Sequence, residues 1–186
     1  SNGNFHKNQP IKDFTIDKTG NIYVASQENI HVLKNNDLLK QNLNAKRLDI
    51  KLNRIFAIAV DDLGAIWYSD SEGLAKYSNG KIERFHNLSK LIKTRIEDIV
   101  IYHKQIFISV LGTGILILEK EKLKTILTTE TGLLSNHCSK LYPYKDILYI
   151  CTNKGLNSIT FDKYNKIIIE SVTSPLVISK QINDVF

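Results

Sequence analysis

The sequence predicts an all-β chain made of about four four-stranded β-propeller blades. Three observations carry that expectation: a repeating phrase, short apolar runs within it, and turn residues between the runs. The phrase is an apolar-aromatic run, a small or polar turn, and a second apolar run. It appears as Gly20-Asn-Ile-Tyr-Val-Ala-Ser26 followed by Ile30-His-Val-Leu33. It returns as Gly64-Ala-Ile-Trp-Tyr-Ser-Asp70 with Gly73-Leu-Ala-Lys-Tyr77, then as Gln105-Ile-Phe-Ile-Ser-Val110 with Gly114-Ile-Leu-Ile-Leu118. The last copy is Asp146-Ile-Leu-Tyr-Ile-Cys-Thr152 with Gly155-Leu-Asn-Ser-Ile159. The aromatic landmarks Tyr23, Trp67, Phe107 and Tyr149 stand 44, 40 and 42 residues apart. A period of about 40–45 residues made of short strands marks one four-stranded blade per repeat.

Each blade opens with an apolar strand ahead of the aromatic one. These strands start at Ile11, Ile55, Ile96 and Cys138, with a fifth start at Ile182. Apolar residues then recur two apart: Phe14 and Ile16, Ile58 and Val60, Ile99 and Ile101. In the fourth copy the pair is Leu141 and Pro143. That alternation is what a strand with one buried face requires. A turn joins the first strand to the second. In Asp17-Lys-Thr-Gly20 and Asp61-Asp-Leu-Gly64, Asp can bond nearby backbone while Gly supplies the positive φ. The third and fourth copies shorten this turn to His103-Lys-Gln and Tyr144-Lys-Asp.

Fourth strands are expected at Lys81-Ile-Glu-Arg-Phe85, Leu123-Lys-Thr-Ile-Leu127 and Lys166-Ile-Ile-Ile-Glu170. In the first repeat the fourth strand is blurred between Leu38 and Ile50. The opening Ser1-Asn-Gly3 with Phe5-His6 echoes Ser78-Asn-Gly80 with Phe85-His86. The reading is a single propeller segment over 1–186. Its blades fall at 11–54, 55–95, 96–137 and 138–181, and 182–186 start a further blade. With ragged ends and no Met, the expectation is a piece of a larger propeller.

Composition narrows the function. A chain with 42% hydrophobic residues can build a sizeable core. It contains no run of 18 apolar residues, so no direct membrane insertion is expected. The net charge is +6, but Lys and Arg are scattered, and Glu119 to Lys124 is nearly balanced. A nucleic-acid partner would need a concentrated basic stripe with stacking aromatics, so none is expected.

The search for chemistry excludes more than it finds. His6, His31, His86, His103 and His137 have no partner at metal-ligand spacing, so neither metal nor other cofactor is expected. No nucleophile elbow, phosphate loop or dinucleotide fingerprint appears, so no catalytic residue is assigned. Asp61-Asp62 occupies the slot of Asp17 and reads as a structural turn. Asn87-Leu-Ser89 is a glycosylation sequon by pattern alone. A hairpin turning at Tyr144-Lys145 would oppose Cys138 and Cys151, placing them within reach of a disulfide. Two buried thiols acting as small apolar residues are the other reading. Tyr23, Trp67, Phe107 and Tyr149 share one repeat position and read as packing between blades. Tyr68, Tyr77, Tyr102, Tyr142 and Tyr144 break the repeat and are freer for particular roles.

In a propeller, the loops joining second to third strands and those joining blades gather on one face. Here they include Ser26-Gln-Glu-Asn29, Asp70-Ser-Glu72, Leu111-Gly-Thr113, Thr152-Asn-Lys154, Lys93-Thr-Arg95 and Thr131 to His137. The candidate ligand contacts are Gln27, Asn29, Asp70, Glu72, Arg95, Asn136, His137, Asn153 and Lys154. Their amides, charges and neighbouring hydroxyls suit a polyhydroxylated ligand, which needs many directional hydrogen bonds.

The best copy of the phrase reads Asp61-Asp-Leu-Gly-Ala-Ile-Trp-Tyr-Ser-Asp-Ser-Glu-Gly-Leu74. A second is Leu148-Tyr-Ile-Cys-Thr-Asn-Lys-Gly-Leu156, preceded by Thr131-Gly-Leu-Leu-Ser-Asn136. These resemble the repeats of two-component regulator propellers, over most of the chain. The resemblance implies a periplasmic, extracytoplasmic sensor segment of a histidine kinase or hybrid two-component protein from Gram-negative bacteria. Such a parent is anchored in the inner membrane, and several members sense polysaccharide fragments. Any kinase activity would reside outside this segment.

Three functions are therefore carried forward. The first is a non-enzymatic sensor propeller that recognises oligosaccharides. The second is a protein-interaction scaffold with an aromatic patch of Tyr102, Tyr142 and Tyr144. The third is a propeller lyase or hydrolase in which Asp70, Glu72 and His137 converge. The expected partners are an oligosaccharide and either the remainder of the parent chain or a second copy.

Overall fold

The computed structural model describes residues 10–39, 46–48, 50, 52–88, 90–92 and 94–172, with backbone only at 38 and 39. The expected strand start at Ile182, the echo in Ser1 to His6, and Lys93 lie outside the described residues. The chain divides into two compact units, Ser1–Lys90 and Leu91–Phe186.

The first unit holds two sheets. One consists of β1 (Asp13–Ile16), β2 (Ile22–Ala25), β3 (Ile30–Leu33) and β4 (Lys46–Arg47), with a short helix α1 (Asn35–Leu39) before its last strand. The other consists of β5 (Ala57–Val60), β6 (Ile66–Asp70), β7 (Gly73–Ser78) and β8 (Lys81–Arg84). The second unit holds β9 (Ile96–Tyr102), β10 (Gln105–Val110), β11 (Gly114–Glu119) and β12 (Lys122–Leu127). Its other sheet is β13 (Cys138–Tyr144), β14 (Ile147–Thr152), β15 (Gly155–Phe161) and β16 (Ile167–Val172). Every sheet is an antiparallel meander in chain order. The fold class is the expected one: all-β, in four-stranded propeller blades.

First strands in the second unit begin at Ile96 and Cys138, as anticipated. Those in the first unit begin at Asp13 and Ala57, two residues after Ile11 and Ile55. Ile55 leaves the ladder because its N–H donates to the Gln27 carbonyl at 3.0 Å. Helix α1 was not legible in the sequence. It starts where the Asn35 N–H donates to Asn21 Oδ1 at 3.0 Å and Asn35 Nδ2 donates to the Thr19 carbonyl at 2.9 Å.

The Asp turns do what their residues suggest. Asp17 Oδ1 accepts the N–H groups of Thr19 and Asn21, both at 2.9 Å. Asp61 Oδ1 accepts those of Leu63 at 3.0 Å and Ala65 at 2.9 Å. The second carboxylate oxygen reaches the aromatic landmark six residues on. Tyr23 O–H donates to Asp17 Oδ2 at 3.3 Å, and Trp67 Nε1 donates to Asp61 Oδ2 at 3.2 Å. Burial alone would raise the Asp17 carboxyl, but the hydrogen bonds from Thr19 and Asn21 outweigh it and hold it at about 2. Asp162 builds a third such turn, accepting from Tyr164 and Lys166, with Asn165 at φ 61 in the glycine slot. The third blade has Phe107, which has no polar tip. Its first turn is His103-Lys104, at φ 49 and 59, a tight hairpin without glycine.

In the first unit, Tyr23, Ala25 and Ile30 of one sheet pack on Ile58, Ile66, Tyr68 and Ala75 of the next. In the second unit, Phe107, Ile115 and Ile117 pack on Leu141, Leu148, Ile150 and Ile159. A carboxylate crosses each of these interfaces. Asp13 Oδ2 accepts the Ile58 N–H at 2.9 Å, and Asp98 Oδ2 accepts the Leu141 N–H at 2.8 Å. Asp98 also lies 3.6 Å from Lys140 Nζ.

Two expectations are corrected here. Cys138 pairs with Thr152, and Cys151 with Lys140, because a bulge at Ser139 shifts the register. The cysteines are therefore not directly opposed, and both are buried thiols rather than a disulfide. Burial pushes the Cys138 thiol up to about 12, with the Cys151 sulfur adding to the effect. Tyr102 does not join an exposed aromatic patch, and Tyr68 lies inside as well. Both are buried, Tyr102 at edge-on or tilted angles to Phe107 and Phe161.

The glycines that open third strands are not equivalent. Gly73 and Gly114 both have φ in the left-handed region, at 107 and 105, but only Gly114 faces an obstacle, the Leu127 carbonyl. Gly73→Ala should cost about 1–2 kcal/mol. Gly114→Ala should cost clearly more, because backbone must move as well. Urea unfolding of the two variants checks that order.

Candidate functional site

The loop ends of the first unit are tied together by backbone and carboxylates. Ser26 N–H and Oγ donate to the Asn29 carbonyl at 2.8 and 3.1 Å, closing the loop between β2 and β3. The Gln27 carbonyl holds Ile55, while its side chain is exposed. Asn29 is buried, and its side-chain oxygen has no hydrogen-bond partner among the described residues.

Asp70 ends β6 and is buried. It receives a two-pronged grip from Arg84 of β8: Nη1 donates to Oδ1 at 3.0 Å and Nη2 to Oδ2 at 2.8 Å. The Arg84 Nε lies 3.1 Å from Glu72 Oε2, and Asn53 Nδ2 donates to Glu72 Oε1 at 3.1 Å. The Asp70 hydrogen bonds raise the Arg84 pKa further. The Tyr68 hydroxyl is buried without a hydrogen-bond partner among the described residues, and burial lifts it to about 12. Arg84 and Asn53 escaped the sequence reading, which marked Tyr68 only as an aromatic outside the repeat. Arg84 was hidden in a charged outer strand, Lys81-Ile-Glu-Arg84, and its partner lies 14 residues back.

The second unit presents a more open loop set. The Arg95 carbonyl accepts the Leu111 N–H at 3.1 Å, and its exposed guanidinium forks onto Glu97 at 2.8 Å. Thr94 Oγ1 donates to the Leu111 carbonyl. His137 is exposed beside Gly112 and accepts the Asn153 N–H through its carbonyl at 3.1 Å. The Asn153 and Lys154 side chains are exposed. Asn136 is half-buried and already engaged: its Oδ1 accepts the Thr129 N–H at 2.8 Å, fastening the turn at Thr129–Thr131.

The candidates thus divide by what their polar atoms already do. Asp70 is engaged inside the fold and Asn136 in an exposed turn. Gln27, Glu72, Arg95, His137, Asn153 and Lys154 keep exposed groups at the loop ends. Arg84 pairs both Asp70 and Glu72. Of the three tyrosines expected to form a docking patch, Tyr142 and Tyr144 are exposed and Tyr102 is not. Among the described residues, no three His, Cys, Asp or Glu side chains gather as a metal site. No helix among them is long and apolar enough to cross a membrane.

The chain matches no protein-family model and no curated protein sequence. Solved structures do resemble it. One is the extracellular domain of BT4673 from B. thetaiotaomicron, described as a one component system, at TM-score 0.62 and 17% identity. That match covers 94% of this chain and 23% of the other. Another is the extracellular domain of BT3049 from the same organism, described as a hybrid two component system, at TM-score 0.62 and 16% identity. It covers 90% of this chain and 28% of the other. A third is virginiamycin B lyase from Staphylococcus aureus, at TM-score 0.62 and 12% identity, covering 91% of this chain and 58% of the other. The chain therefore spans about a quarter of the first two. At these identities the likeness is one of fold. Two of these structures are extracellular domains of the protein type that the sequence motif resembles.

The Asp70–Arg84 pair should be the fixed point of the first unit's loop end. Asp70→Ala leaves the half-buried guanidinium with Glu72 alone and should cost on the order of 3 kcal/mol. Glu72→Gln, at the exposed end, should cost under about 1 kcal/mol. Chemical denaturation of both variants checks the difference.

Proposed function

We propose that this chain is a non-enzymatic, extracytoplasmic sensor segment of a two-component signalling protein, recognising oligosaccharides through its loop ends. The observation that carries the reading is the agreement of two likenesses. The Asp61 to Leu74 phrase resembles regulator propeller repeats, and the solved structures of similar fold include extracellular domains of such systems. In this reading the membrane anchor and kinase belong to sequence outside this chain.

The loop chemistry supports a polyhydroxylated ligand. Exposed Gln27 and Asn153 offer both donors and acceptors, Lys154 and Arg95 offer charged donors, and His137 offers a ring edge and face. Asp70 and Asn136 act as positioning residues, because their oxygens hold the loops that carry the others. Signalling then requires that the ligand prefer one of two states of the sensor, since equal binding shifts no equilibrium. The lyase of similar fold raises an enzymatic reading, but Asp70 and Glu72, two of the three residues that reading names, are both held by Arg84.

The test is an array of neutral and acidic oligosaccharides probed with the chain, followed by titration calorimetry on any hit. The expected result is selective binding that His137→Ala with Lys154→Ala weakens by at least about tenfold, or 1.4 kcal/mol, while the fold is retained. No binding across the array, or binding untouched by those substitutions, would overturn the proposal.

A further inference from the structure

The second sheet carries a polar cluster that the other sheets do without. Ladder partners set Tyr68, Ala75 and Arg84 in one row, and Asp70 lies two residues beyond Tyr68 on the same face. The position of Tyr68 is taken by Val24, Ile108 and Ile150 in the first, third and fourth sheets. In the third sheet the row Ile108, Leu116 and Ile126 is wholly apolar, with Val110 where Asp70 stands. A blade of this repeat therefore packs without the tyrosine, the aspartate or the arginine.

The Tyr68 side chain is fully buried, and its hydroxyl has no hydrogen-bond partner among the described residues. Packing explains the ring but not the hydroxyl, because an unpaired buried donor works against folding. The fourth sheet shows the ordinary outcome for a polar residue beside this position. Asn157, the ladder partner of Ile150, accepts the Leu134 N–H and donates to the Gly132 and Glu170 carbonyls. A second buried acceptor without a partner, Asn29 Oδ1, lies at the same loop end as Tyr68. The loop carrying it holds Ile55, and Asn53 two residues earlier binds Ser71 and Glu72.

Arg84 directs three of its five N–H groups at Asp70 and Glu72, which leaves two. Side-chain exposure rises outward through the cluster, from 0% at Asp70 to 18% at Arg84 and 50% at Glu72. Glu72 is thus the member free to swing aside and uncover the groups behind it. Two carboxylates against one guanidinium leave one negative charge over.

We infer that this cluster holds a neutral sugar unit, the Tyr68 hydroxyl and the two remaining Arg84 N–H groups donating to its hydroxyl oxygens. The inference rests on the oligosaccharide reading above and adds to it a point of contact and a ligand class. The surplus carboxylate repels a uronic acid, so the cluster selects against acidic sugars.

Titration calorimetry with matched tetrasaccharides tests it. The probes are oligomers of galactose, glucose and mannose, each set against the uronic acid oligomer of the same sugar. The wild type should bind at least one neutral member about tenfold more tightly than its acidic counterpart. Tyr68→Phe should weaken that binding by about tenfold, as loss of a buried donor to a sugar hydroxyl requires. Its urea midpoint should stay level or rise, because the substitution removes only an unpaired hydroxyl. Glu72→Gln, which removes the surplus charge, should narrow the preference for the neutral member. Unchanged binding or a lower midpoint in Tyr68→Phe overturns the inference, and so does equal or tighter binding of the acidic members. In those cases the oligosaccharide reading stands. Silence of all these oligomers also overturns the inference, and the reading falls with it only if the wider array is silent too.

Discussion

A carboxylate on one first strand, half-buried in Asp13 and buried in Asp98, accepts a backbone N–H from the next, and this is the constraint on which each unit depends. Blade sheets meet face to face, and apolar faces alone would let them slide, because burial energy has little direction. The bonds from Ile58 to Asp13 and from Leu141 to Asp98 fix the offset between neighbouring sheets. They also satisfy amides that the strand ladders leave over, and unsatisfied buried amides are costly. With that offset fixed, Tyr23 and Phe107 lie against the following sheet and the loops that join strands are carried to a common end.

The second layer of order is local. An Asp oxygen closes the first turn, and its other oxygen receives the polar tip of the aromatic six residues on. Turn and aromatic strand therefore form one unit, and the aromatic is positioned before it packs. The third blade omits both halves together: Phe107 has no donor, and the turn is a two-residue hairpin with positive φ at His103 and Lys104. The loop ends then divide by rigidity. Asp70 is clamped by Arg84, whereas His137, Asn153 and Lys154 ride on backbone bonds with their side chains in solvent.

The legible part of this molecule was the part written within one repeat. The aromatic period located the strands, and the Asp-x-x-Gly phrases located the turns, because those bonds span only a few residues. Long-range polar bonds were not legible. Asp98 and Leu141 are 43 residues apart, and nothing in either neighbourhood names the other. Arg84 looked like one charge among several on an outer strand. The cysteine register failed for a different reason. A bulge inserts one residue at Ser139, and period-two counting cannot see an insertion. Tyr102 was misplaced because a hydroxyl suggests a surface, yet the ring area outweighs it in a sheet interface. The loop candidates were legible as a group but not individually. Whether Asn136 points out or caps a turn depends on Thr129, seven residues away.

The carboxylate constraint is tested most directly by amide hydrogen exchange at Leu141 in the Asp98→Ala variant. If Asp98 holds the third and fourth blades in register, the Leu141 amide should exchange much faster than in the wild type. The second unit should also lose about 1–3 kcal/mol of stability, the cost of an unsatisfied buried donor. An unchanged Leu141 exchange rate with unchanged stability would mean that apolar packing alone sets the blade offset, and would contradict the account.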